Sequence, residues 1–142
     1  MRQLATAAAV LIVLAAPVMT WWLVGDQSTA SPDKADYVFR PPFRFSNKAA
    51  RALGTGALVV TVAAAALLIS ASASHSFDLR WWSVVGPLLL LGMLLALGWR
   101  VLTAGVVGAN IGAGLFAFFV GPVILALVGW VIFAAISLLN PD

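Results

Sequence analysis

The sequence predicts an all-α polytopic membrane protein, a bundle of four transmembrane helices, and three observations carry that prediction. Hydrophobic residues make up 63% of the 142, against roughly 45–50% in soluble domains. Charged residues are 9%, where about 25% is usual, so eight basic and five acidic side chains would have to clothe a soluble surface. The apolar residues also fall into runs of bilayer length, apolar on every face, whereas barrel strands would alternate in polarity about every second residue.

The first run, 4–24, holds 21 residues without a charge and reaches about 30 Å at ~1.5 Å per residue, the thickness of a hydrocarbon core. It is longer than the 7–15 residues of a secretory h-region, only Arg2 precedes it, and no small-x-small cleavage site follows Trp21-Trp22. It is therefore read as a retained helix. The second run covers about 52–72 and the third about 81–101, between Arg80 and Arg100. Residues 101–141 form 41 residues without a charge, too many for one span and too few for two spans with a turn. A connection near 103–114 followed by a helix at 115–139 accommodates them, and Pro141 disfavours helix at Asn140. The organisation expected is thus a single transmembrane domain over 1–142, with spans at about 4–24, 52–72, 81–101 and 115–139 and a polar loop at 25–51.

Tryptophan marks the same boundaries. Trp21 and Trp22 close the first run, Trp81 and Trp82 open the third and Trp99 ends it, as expected of a ring that sits at headgroup level with its N–H wet. Trp130 falls inside the last run, facing either another helix or the far leaflet. Pro17, Pro87 and Pro122 are candidate kinks.

Orientation is pulled two ways. The first loop carries Lys34, Arg40, Arg44, Lys48 and Arg51, and Arg100 shares its side, against Arg2 and Arg80 on the other; this puts the loop in the cytoplasm. The flanks of the first helix favour the reverse, with Arg2 and the terminal amine before it and aspartates after it.

The catalytic inventory is thin. Cysteine and glutamate are absent, which excludes disulfides and thiolate chemistry, and His75 is the only histidine. His75 and Asp78 lie among Ser70, Ser72, Ser74 and Ser76, but a triad needs an oriented base and an oxyanion hole, and no motif supplies them. One histidine without Cys or Glu is a poor metal set. No cofactor is expected and no enzymatic activity. The basic residues are scattered rather than forming a face, so the net charge of +3 points to orientation and lipid contact and not to nucleic acid.

Three features remain as candidate sites. Gly108, Asn110 and Gly112, within the glycine-rich stretch 105–114, form a helix-packing face or line a pore. Tyr37, Phe39, Arg40 and Arg44 alternate aromatic and cationic side chains around Pro41-Pro42, suited to an interface or a partner. Arg100 sits at a membrane boundary, either reaching to headgroups beside Trp99 or pairing with Asp26, Asp33 or Asp36 on the same side.

The stretches Thr20-Trp21-Trp22-Leu23-Val24-Gly25-Asp26 and 98–114 make the chain resemble the small four-helix integral membrane proteins of high-GC actinobacteria, a group that brings no activity with it. The small multidrug-resistance transporters, also of four short helices, use a membrane carboxylate in the first; residues 4–24 contain no acid. Asn110, Phe116, Phe118 and Phe119 are only loosely similar to the small fluoride channels, whose patterns are missing. The function expected is that of a non-enzymatic, multi-pass plasma-membrane component with a structural, accessory or partner-binding role, touching the bilayer and either a membrane-protein partner or further copies of itself. The alternative is a small oligomeric channel or transporter built on 105–114 and Asn110.

Overall fold

The computed structural model describes residues 2–26, 28, 37–42 and 44–140. Four long helices follow one another: α1 (Arg2–Val24), α2 (Asn47–Ala73), α3 (Trp82–Leu102) and α4 (Ala109–Leu139), with a 3₁₀ turn, Leu79–Trp81, leading into α3. All four are long and apolar enough to cross a membrane, α3 together with that turn. α1 packs against both α2 and α3, and α4 packs chiefly against α3, giving the lateral order α2, α1, α3, α4.

Two boundaries differ from the sequence reading. α2 begins five residues before 52, because Ser46 caps it: its hydroxyl accepts the Ala49 N–H at 3.2 Å. Lys48 and Arg51 thereby become helical residues. α4 begins six residues before 115, so the connection shrinks to 103–108, and Gly108, with φ of 80°, forms its left-handed N-cap. Glycine adopts that conformation without the Cβ clash other residues meet. Of the expected small-residue pair, Gly108 is the cap and Gly112 lies in the first turn of α4, its N–H bonded to the Gly108 carbonyl at 3.3 Å.

Small residues form the seams. On α1, Ala5, Ala8, Ala9, Ile12 and Ala16 are buried at helical spacing, and on α2 so are Gly54, Ala57, Ala64 and Leu68. The large apolar side chains Leu4, Leu14, Val59, Val62, Phe118 and Leu125 point outward. A soluble protein places its large hydrophobes the other way round; lipid tails make this arrangement stable, and close backbone approach then supplies the packing.

At one end α2 closes on His75, whose φ of 54° is left-handed, while the Ser76 and Phe77 N–H groups return to the Ala71 carbonyl. Asp78 accepts the Arg80 N–H and caps the 3₁₀ turn, and the Trp82 indole N–H donates to Ser72 Oγ at 3.0 Å. Trp130 lies at this same level, since its indole N–H donates to the Ser83 carbonyl at 3.0 Å. The sixth tryptophan thus joins Trp81 and Trp82, and Trp21, Trp22 and Trp99 mark the opposite end.

At Gly54 an added Cβ would overlap the Trp22 indole, whereas at Gly56 it would meet open space. Gly54→Ala should therefore destabilise the fold by about 1–3 kcal/mol through overpacking, while Gly56→Ala gains about 0.5–1 kcal/mol of helix propensity. Thermal unfolding in detergent should show the two substitutions moving in opposite directions.

Candidate functional site

Polar structure concentrates where α1 ends, α2 starts and α3 ends. Gly25, with φ of 77°, terminates α1, and its N–H returns to the Trp22 carbonyl at 3.0 Å. The chain then turns on Asp26, whose Oδ1 accepts both the N–H of Ser28 at 2.9 Å and its hydroxyl at 2.6 Å. Such a turn is a local property of an Asp two residues before its donor. The buried Ser28 offers its carbonyl to the Tyr37 hydroxyl and to Arg44 Nη2, each at 3.2 Å.

Arg100 lies beneath this turn and is only 9% exposed. Its side chain turns back onto the end of α1. Its Nε donates to the Trp21 carbonyl at 2.9 Å, its guanidinium carbon stands 4.1 Å from the Trp21 ring centroid, and Nη1 is 3.7 Å from Asp26 Oδ1. Of the acids expected to pair with it, Asp26 does so; Asp33 and Asp36 lie outside the described residues. The carbonyl and the ring matter more than the carboxylate. An ion pair with a half-exposed partner contributes about 0–1 kcal/mol, while leaving a buried carbonyl unpaired costs about 1–3 kcal/mol. The Trp21 carbonyl lies in the last turn of α1, where helical acceptors lack donors, and Arg100 supplies one.

The connection is fastened to the bundle at further points. The Phe39 N–H donates to the Leu102 carbonyl at 3.1 Å, and the Phe39 ring meets Trp99 edge-on with centroids 5.9 Å apart. Phe45 meets Trp21 in the same manner at 5.6 Å. Tyr37 rests on Gly105, where a Cβ would come within 2.5 Å of the phenol ring. Arg40 lies over the outer face of Tyr37, 5.4 Å from its centroid, and remains exposed.

Between the connection and the helix ends lies a cavity of about 550 Å³, lined among others by Trp21, Asp26, Arg44, Arg51, Trp99 and Arg100. A second cavity of about 470 Å³, between α1 and α3 at the opposite end, is walled mainly by apolar side chains such as Val10, Leu14 and Leu88.

Tyr37, Phe39, Arg40, Arg44 and Arg100 are thus brought together. Gly108, Asn110 and Gly112 are not: Gly108 caps α4, Asn110 is exposed on its first turn, and the space beside Gly112 is open. Sequence reasoning missed Ser28, whose place two residues after Asp26 signals the turn, and Arg51, which enters the cavity only because α2 starts early. His75 and Asp78 serve backbone geometry at the far end, and among the described residues no group of three His, Asp or Glu side chains is placed to hold a metal ion.

The fold is that of a multi-pass helical membrane protein, and residues 37–42 and 44–46 pack over one end of its bundle. The chain matches no family model, no curated protein and no solved structure.

Two outcomes follow from the geometry. Arg100→Met keeps much of the apolar stem but removes the donor to Trp21, so exchange of the Phe39 amide should accelerate by about tenfold or more, with Asp26→Asn having a smaller effect. Burial pushes the Asp26 carboxyl up, but the two hydrogen bonds from Ser28 and the charges of Arg100 and Arg44 outweigh it and hold the group below its ordinary range. A depressed carboxyl stabilises fully above its unfolded pKa of about 3.9, and that stabilisation is lost as pH falls through the lower folded value. Pepsin cleavage within the connection should accordingly quicken below about pH 4 in the wild type relative to Asp26→Asn. Equal pH profiles would remove Asp26 from the latch.

Proposed function

We propose that the protein is a non-enzymatic plasma-membrane component, accessory or structural in role, whose first connection is a preorganised platform for a partner. One observation carries this reading: the connection is latched to the bundle by the buried Arg100 and by the Phe39–Leu102 backbone bond, yet it leaves Val38, Phe39 and Arg40 exposed. Joining two helices requires no such ordering, and fixing a backbone costs about 1–2 kcal/mol per residue. A rigid ridge of two apolar side chains and a cation is suited to binding, because the ordering cost is already met before a partner arrives.

The residues grouped in the sequence divide into two roles. Tyr37 and Arg44 hold the platform, Arg40 is exposed over Tyr37, and the half-exposed Phe39 ring serves both roles, one edge against Trp99 and the rest open. A photo-reactive amino acid at Val38 should therefore yield a discrete protein adduct in membranes, and Phe39→Ala with Arg40→Ala should weaken that adduct severalfold while insertion is unchanged. Adducts with lipid alone, or a protein adduct indifferent to both substitutions, would overturn the proposal.

The channel or transporter reading has one observation in its favour, since Asn110 and the open flank of Gly112 lie on the helix with fewest neighbours. Ion flux through proteoliposomes that falls with Asn110→Ala would favour it over the platform.

A further inference from the structure

We propose that the 550 Å³ cavity beneath the platform is a binding site for a phosphate group, carried by an anionic phospholipid headgroup or free in the adjoining water. The inference rests on the reading of this end as a recognition platform and assigns its ligand class. Three arginines line the cavity from three different elements: Arg44 from the connection, Arg51 from the second turn of α2 and Arg100 from the last turn of α3. Asp26 is the one carboxylate among the described lining residues, which together carry a net charge of +2.

Among the described residues, Asp26 is the one acid that faces that charge. Asp26 faces Arg100, and its Oδ1 already accepts two hydrogen bonds from Ser28. Arg44 uses Nη2 on Ser28 and Tyr37, and no partner among the described residues engages its Nε or Nη1. Arg51 makes no hydrogen bond or ion pair through its guanidinium among the described residues. The cavity also opens on Asn47 and Ala50 in the first turn of the 27-residue α2, where the helix dipole favours an anion although Ser46 already takes the Ala49 and Ala50 N–H groups. Planar guanidinium forks match phosphate oxygens in pairs, and about 550 Å³ lies within the range of small-ligand sites. Trp21, Trp22 and Trp99 in its walls set its depth at the level of lipid headgroups.

The contrast with the second cavity supports the assignment. That cavity has Arg2 and Asp78 together at its lining and otherwise mostly apolar walls, so it carries no surplus charge for an anion.

The test uses the full chain, delipidated in detergent, in native mass spectrometry with equimolar phosphatidylglycerol and phosphatidylcholine, and separately with inorganic phosphate. Arg51→Gln removes an exposed guanidinium that holds nothing else in place. Lys48→Gln, one turn earlier and outside the cavity, controls for general surface charge. Preferential retention of one phosphatidylglycerol, falling about fivefold in Arg51→Gln and unchanged in Lys48→Gln, supports a lipid phosphate. A phosphate adduct with the same dependence on Arg51, and equal retention of the two lipids, supports the free anion. The proposal is overturned if wild type shows neither preference nor adduct, or if the two substitutions act alike. A Val38 cross-link that persists alongside such a failure would remove the phosphate site and leave the platform standing; loss of the cross-link with the anion preference intact would do the reverse.

Discussion

Rings seated on glycines hold this molecule together. Trp22 of α1 lies on Gly54 of α2, Pro17 of α1 on Gly92 of α3, Phe116 of α4 on Gly98 of α3, and Tyr37 of the connection on Gly105. Lipid tails are as apolar as leucine, so burial alone gives helices little reason to associate within a bilayer. Close contact must supply the attraction, and a flat ring against bare backbone offers many contacts at short range. The same device serves each main helix pair and the cap, which explains why an alanine-rich interior with few large side chains suffices.

The cap depends on one cation buried at the end of α3. Arg100 remains at the end of α3 because a carbonyl, an indole face and a carboxylate surround it, and each belongs to the C-terminal end of α1 or the turn that follows. In turn, Arg100 fixes the direction in which the chain leaves α1. The Asp26 turn, the Ser28 carbonyl and the hold on Tyr37 and Arg44 all follow from that direction. Below the cap, Arg44 and Arg51 from around the start of α2 and Arg100 from the end of α3 line one cavity, and the positions of the platform and the cavity share a single anchor.

Much of the architecture was legible because a bilayer constrains it heavily. Charge-free runs, tryptophans and flanking arginines located α1 and α3 to within two residues at each end, and the C-terminal ends of α2 and α4 as closely. The start of α4 was not legible, because Gly105, Gly108, Gly112 and Gly114 carry a weak helix propensity of about 1 kcal/mol each. Hydrocarbon reverses that preference, since an unpaired peptide group there costs more than a glycine does. The start of α2 was missed for a related reason: Lys48 and Arg51 interrupt an apolar run without interrupting a helix, and Ser46 was the better guide. At the site, the pairing of Arg100 with Asp26 was readable from shared sidedness. Its stacking on Trp21 was not, because 79 residues separate the two and no local pattern connects them.

Trp130 beside Ser83 has a further consequence. Trp82 to Trp99 on α3 are 17 residues apart, about 25 Å at ~1.5 Å per residue, which is shorter than the average hydrocarbon core of ~30 Å. On α4, the apolar residues 131–139 continue about 13 Å beyond the tryptophan level that α3 shares. Adjacent helices thus present the surrounding lipid with unequal lengths. A membrane thin enough for one leaves the other protruding, and a membrane thick enough for the second stretches over the first. Hydrophobic mismatch is therefore built into the bundle as a difference between its two flanks, and the annulus of lipid around it has a tall side and a short side.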